Sequence, residues 1–264
     1  MLAFLKNHPF PVEAFFESSL VLTYALPVAV LRPLVPPQLE LDVFRDQWAF
    51  IAIAVVKTKH LRPKGFPVFM GHDFVLTGYR VFVRYTTSEG KRLRGLYILK
   101  SETDQQKMEF LGNLFTHYNY TTTDIDITAE NEWITVSSIQ SGIDIRVGTT
   151  RADIDLIQPG VNISADTKHA DVALPAGSPF ANWQEARRFA GPLPFTFSCG
   201  EASKQVLIIE GVRENWTPVP VKVLHSRIRY LDTPQFREAR LANAFLIREI
   251  PYYWKKGKMD LWKG

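Results

Sequence analysis

Lys100 and Glu102 stand two residues apart in "GLYILKSETDQQKMEFLGNLFTHYNY", residues 95–120, and Lys107, Glu109, His117 and Tyr118 follow within the same stretch. A lysine stripped of its proton by desolvation attacks a carbonyl to form a Schiff base, and the iminium then accepts electrons from a decarboxylating β-keto acid. In that chemistry Lys100 is the nucleophile, because it ends an apolar run, and Glu102 carries the proton; Lys107 and Glu109 are the positional alternatives. His117 and Tyr118 would orient a polar substrate. The plainer reading of the same residues is structural: both lysines reach water and Glu102 helps a helix begin.

Arg80 offers a different chemistry. In "FVLTGYRVFVRY", strand alternation puts Arg80 on the side of Phe74, Leu76 and Phe82, and Tyr79 on the opposite side. A guanidinium entering an apolar pocket presents a planar set of donors that holds a carboxylate or phosphate. The competing reading lets Arg80 snorkel outward with Arg84 or pair with a structural acid.

Positioning these residues falls to a strand, "GLYILK", running into a helix that Ser101 or Thr103 caps. Thr103 and Gln106 have capping-box spacing, and Asp104 adds negative charge to the first turn. Met108, Leu111 and Phe115, with Leu114 beside them, recur at offsets of three and four and form a core-facing stripe. Gly112 costs about 1 kcal/mol against alanine, so a close neighbour is expected there.

Upstream, a short helix is predicted before Pro36 and Pro37, followed by a strand, a turn at Arg45 and Asp46, and a strand from Trp48 to Val56. "FVLTGYRVFVRY" is joined to "GLYILK" by "TTSEGKR". Further strands are read at "DIDITAE", "NEWITVSSI", "GIDIRVG", "RADIDLI", "KQVLIIEGV" and "VKVLHSRIRY", where alternating charged and aliphatic residues suit a partly solvated antiparallel sheet. Helices are predicted in "SPFANWQEARRFA", starting near Ser178 or Asn182, and in "TPQFREARLANAFL", starting near Thr233. The sum is an α+β fold dominated by sheet, without the regular alternation of a parallel barrel.

A chain of 264 residues, 46% hydrophobic, supports one domain spanning 1–264. Cys199 is the only cysteine, which excludes an intrachain disulfide, and the six histidines lack the spacing of a metal site. Neither "GxxxxGK[ST]" nor "GxGxxG" occurs, so no metal and no cofactor is expected. "MLAFLKNHPFPVEAFFESS" is interrupted by charge and proline, so no membrane span is read and a cytoplasmic location is the default. Nine basic residues between Lys57 and Arg94 face only Asp73 and Glu89 there, which raises nucleic-acid binding as an alternative. No recognition motif accompanies them, and a solvated face is the favoured account. A homo-oligomer is compatible with the aromatic clusters "PYYW" and "FANW".

"YALPVAVLRPLVPPQLELDVFRDQWAFIAIAVV", "GYRVFVRY", "RGLYILKSET" and "FLGNLFTHYNY" together resemble the uncharacterised DUF2071 family, whose members are sometimes called YqjF-like proteins. The resemblance spans about residues 18–232. It rests on Val35, Pro36, Pro37, Leu39, Leu41 and Asp42, then on Arg80, Gly95 and Tyr97. It implies the fold of acetoacetate decarboxylases, a large curved antiparallel sheet or β-barrel around an apolar cavity with helices outside. The decarboxylases carry a glutamate and a proline followed by paired lysines, the first of which forms the Schiff base. Here that neighbourhood reads "GNLFTHYNY", and no lysine matches the nucleophile. The first expectation is therefore a cavity that binds a small, partly apolar organic acid through Arg80, with His117 or Tyr118 as polar partners. Schiff-base decarboxylation by Lys100 and Glu102 is the second.

Overall fold

The computed structural model describes residues 5–130, 133–148, 172–200, 204–213 and 217–263. The chain enters through β1 (Val12–Pro27), turns through α1 (Val28–Leu31) and the paired prolines, and adds the short β2 (Glu40–Leu41). The long strands β3 (Trp48–Pro63), β4 (His72–Thr86) and β5 (Arg92–Thr103) lead into α2 (Gln106–Phe115). After β6 (Tyr120–Thr122) come β7 (Asp126–Glu130), β8 (Trp133–Ser138) and β9 (Ile143–Gly148). Then follow α3 (Trp183–Ala190), β10 (Phe195–Ser198), β11 (Gln205–Arg213), β12 (Val219–Pro220), β13 (Lys222–Ile228), β14 (Arg240–Trp254) and β15 (Lys258–Leu261). The strand read in "RADIDLI" lies outside the described residues.

One eleven-stranded sheet runs β12-β14-β1-β3-β4-β5-β10-β11-β15, with β2 on β4 and β6 on β5. It is mixed, because β5 pairs in parallel with both β10 and β6. β11 also pairs with β14, Gly211 opposite Trp254, so the path from β14 through β1, β3, β4, β5 and β10 returns on itself. A four-stranded antiparallel sheet, β13-β9-β8-β7, covers one face of it. Among the described residues no helix is long and apolar enough to cross a membrane.

Strand alternation sorts the two faces. In β3, Ile51, Ile53 and Val55 join a core shared with Val136, Ile145 and Val147 of the small sheet, whereas Phe50, Ala52 and Ala54 face inward with Phe82 and Phe245. Burial on both sides explains the unbroken apolar run, and each large side chain buried contributes about 1.5–3 kcal/mol. α3 completes the inner face with Ala186 and Ala190. Its start is fixed by Asn182, whose Oδ1 accepts from the Glu185 N–H at 2.9 Å.

The segment predicted as a helix from Thr233 is instead a short 3-10 turn, Pro234–Phe236, followed by β14. Ala, Leu and Arg favour helix, but β14 is buried on both faces and pairs with β1 along nearly its whole length, and that pairing outweighs local propensity. α2 begins later than its predicted caps. Thr103 still belongs to β5, Gln105 is the N-cap without a side-chain bond, and Asp104 accepts instead from the Val75 N–H at 2.8 Å. A Cβ on Gly112 would stand 2.3 Å from the Tyr120 ring, which identifies the close neighbour. Arg45 and Asp46 both adopt positive φ in the predicted turn.

The diproline motif is held from its carbonyls. Arg32 donates to the oxygens of Val35, Pro36 and Leu39 at 2.5–2.8 Å. Fully buried Asp42 then binds Arg84 at 2.5 Å and Arg94 at 2.6 Å, fastening β2 to β4 and β5. At Gly95 a Cβ would meet the Phe195 carbonyl oxygen at 2.4 Å, so glycine permits the parallel approach of β10.

Candidate functional site

Arg80 leaves β4 at a bulge. Tyr79 pairs with Lys100 but Arg80 pairs with Ile98, so Leu99 is the extra residue on β5. The bulge resets the alternation: Ile98 and Ser101 face one side of the sheet with Arg80, whereas Tyr79, Leu99, Lys100 and Glu102 face the other. A tight place beneath Arg80 is made by Gly78, where a Cβ would come within 2.7 Å of the guanidinium Nε.

The side chain of Arg80 enters a cavity of about 130 Å³. Leu76, Phe82, Leu96 and Ile98 form its apolar wall, and Ser101, Thr196, Tyr118, Tyr120, Tyr252 and Arg213 its polar one. Arg80 is half-buried with its Nε shielded from solvent, no carboxylate lies in ion-pair reach of it among the described residues, and that Nε has no hydrogen-bond partner. Burial works against its charge, with Arg213 adding to that and the phenols of Tyr252, Tyr120 and Tyr118 opposing it. Arg213 is engaged differently, donating to the carbonyls of Pro192 at 2.7 Å and Leu193 at 3.4 Å and to the Tyr252 hydroxyl at 3.3 Å.

Burial raises the Tyr118 hydroxyl well above the ordinary phenol value and pushes Tyr120 up to about 12, so both stay protonated at neutral pH. Tyr118 reaches the cavity because the chain turns at Asn119, which has a φ of 52°, before β6 joins β5. His117 points away: it is exposed, and its Nε2 lies 3.3 Å from Asn7 Oδ1. The loop therefore separates His117 from Tyr118, and only Tyr118 shares the Arg80 cavity.

Lys100 and Glu102 meet on the other face. The Lys100 ammonium is 2.8 Å from Glu102 Oε1 and lies over the Tyr79 and Tyr230 rings at 4.9 and 5.6 Å. Buried Glu102 also accepts from the Tyr79 and Ser141 hydroxyls, each at 2.8 Å. Burial, then the neighbouring Glu102 carboxylate, drives the Tyr79 hydroxyl far up. Neither Lys100 nor Glu102 lines the Arg80 cavity. Lys107 is exposed on α2, and Glu109 is bound to both the backbone and the hydroxyl of Thr122.

Most of the basic run is ion-paired. Lys57 pairs with Glu17, Lys59 with Asp73, Arg62 with Glu13, Arg92 with Glu40, and Arg84 and Arg94 with Asp42, while Arg80 points inward. The acids come largely from β1 and β2, out of view of a scan along residues 57–94 alone.

Residues missed by the sequence reading are Tyr120, Tyr252, Thr196 and Arg213. Tyr120 stood in the quoted stretch and alternates with Tyr118, a signal that was available. Tyr252 and Arg213 come from β14 and β11, and only the pairing of these strands brings them to Arg80.

A family model described as DUF2071, an uncharacterised conserved protein, matches residues 14–190. A search of curated proteins finds no match. Among solved structures, acetoacetate decarboxylase from Legionella pneumophila superposes with a TM-score of 0.56 at 10% identity, covering 95% of this chain and 87% of that one. An acetoacetate decarboxylase-like enzyme from Sphingomonas wittichii RW1 gives 0.54 at 8% identity, covering 97% and 94%. The enduracididine biosynthesis enzyme MppR, complexed with pyruvate, gives 0.52 at 9% identity, covering 95% and 90%. At these identities the likeness is one of fold.

Proposed function

The chain belongs to the DUF2071 family, and on that premise we propose that it binds a small, partly apolar organic acid inside a barrel formed by the large sheet, with the carboxylate against Arg80. The observation that carries this reading is a guanidinium packed among protein groups, opening into a cavity and without a carboxylate partner among the described residues. Leaving such a charge unpaired costs several kcal/mol, and a ligand carboxylate would offset that cost with charge-assisted, bidentate hydrogen bonds. Tyr118 and Tyr120 add neutral hydroxyls beside it, and Leu76, Phe82 and Leu96 suit a short apolar body. Pyruvate, named in the MppR structure, has the charge and size that such a cavity admits.

Trp254 lines the cavity and serves as an internal reporter. Calorimetry and tryptophan fluorescence with pyruvate, acetoacetate and butyrate should show saturable binding that their amides or methyl ketones lack, and Arg80→Met should weaken it about tenfold or more. Equal affinity for charged and neutral analogues, or full retention in the variant, would overturn the reading.

Schiff-base decarboxylation is the competing activity. Lys100 supports it poorly, since its ammonium is held by Glu102 away from the cavity lining. Borohydride trapping with acetoacetate followed by peptide mass analysis decides the matter: a substrate-dependent adduct on Lys100 or Lys107 would establish the lyase reading. For nucleic acid, the ion pairing of most of the basic residues predicts no binding even at low salt.

A further inference from the structure

A second, larger cavity of about 600 Å³ lies next to the one that holds Arg80. Phe16, Leu76, Tyr118, Tyr120 and Trp254 belong to the walls of both. Its far wall is mostly apolar, with Phe10, Phe74, Met108, Leu111 and Phe115 supplied by the N-terminal segment, β4 and α2. A volume of this size is in the range of cavities that take whole organic ligands, whereas about 130 Å³ around Arg80 suffices only for a head group and a few carbons. The same elements hold apolar side chains out in solvent nearby: Phe69, 87% exposed, in the turn that supplies Met70 and Gly71 to the wall, and Phe110, 69% exposed, on α2.

Resting on the reading of Arg80 as the carboxylate contact, we infer that the ligand is an amphiphilic acid, whose head lies at Arg80 and whose extended apolar tail passes Tyr118 and Tyr120 into the larger cavity. The division of labour follows from the linings. At the Arg80 end the guanidinium stands among the hydroxyls of Ser101, Thr196, Tyr118 and Tyr120, whereas Arg62, Asp73 and Lys107 also line the larger cavity, whose exposed surface is nonetheless mostly apolar. The larger cavity presents aromatic and aliphatic surface, which favours methylene or aryl groups leaving water. The tyrosine pair between the two then sets how wide the passing segment can be.

The test is a chain-length series, from butyrate through hexanoate and octanoate to decanoate, titrated below their aggregation thresholds against the full chain and read by Trp254 fluorescence and calorimetry. Affinity is expected to rise about two- to fourfold per methylene, as apolar burial dictates, until the larger cavity is filled. Leu111→Trp, which puts bulk into that cavity, should remove most of the gain for octanoate and decanoate. Equal affinity across the series in the parent chain, with binding still dependent on Arg80, overturns the tail assignment and leaves the acid site standing. Absence of binding by every acid overturns both.

Discussion

Arg80 and Lys100 sit on adjacent strands beside one bulge, yet they face opposite sides of the sheet and meet opposite circumstances. On one side Lys100, Glu102, Tyr79 and Ser141 form a closed set in which the buried carboxylate receives an ammonium and two hydroxyls. On the other, Arg80 has a cavity in front of it and, among the described residues, no carboxylate in reach. Both sides contain charged groups in low-dielectric surroundings, so burial alone does not distinguish them. The difference is completion: a saturated network anchors the fold, whereas an unsaturated cation beside open volume is where a ligand can be bound.

The comparison is most strongly broken or upheld at Glu102. Removing it in Glu102→Ala strips the acceptor from the buried Tyr79 hydroxyl, the half-buried Ser141 hydroxyl and a lysine, so stability should fall by about 3 kcal/mol in urea unfolding. Affinity for organic acids should stay unchanged. A loss of acid binding at native temperature would mean that the two faces are not separate.

A comparable effect is expected from pH, and it comes from the cavity side. His8 lines the larger cavity, and burial lowers its pKa from 6.5 to about 4. Between those values the unfolded chain binds a proton that the folded chain refuses. Stability is therefore fully present above about pH 6.5 and declines as pH falls toward 4, by up to about 3 kcal/mol. His8→Phe should flatten this dependence in thermal melts across that window.

Arg80→Met gives the sharpest contrast with Glu102→Ala. It should weaken acid binding by about 1.5–3 kcal/mol or more, while leaving stability unchanged or raised, because an unpaired buried charge is replaced by apolar volume. Smallest is Tyr118→Phe, which removes one hydroxyl from the site and should cost about 1 kcal/mol of acid affinity by calorimetry, with little change in stability.

Much of this was legible along the chain. Period-two alternation in "FVLTGYRVFVRY" put Arg80 with Leu76 and Phe82 and Tyr79 on the reverse face, and the structure has them so. Asn182, the turn at Arg45 and Asp46, and the neighbour required by Gly112 were equally local and equally readable. β14 was not: a strand buried on both faces has no polar stripe, and its Ala, Leu and Arg content favours helix. The proximity of Lys100 and Glu102 was also legible, but the bulge at Leu99 that turns both away from Arg80 was not. A one-residue insertion in pairing leaves no mark in composition yet reverses the direction of every side chain beyond it.

By itself, then, the sequence determined where the polar groups lie along each strand, because alternation and capping depend on neighbours a few residues apart. Only the tertiary structure decided which of those groups are already satisfied. Most of the acids that neutralise the basic run, the Ser141 hydroxyl at Glu102, and the phenols around Arg80 arrive from segments distant in the chain. Whether a buried charge is matched is a property of the space around it, and that space exists only after β11 and β14 have met.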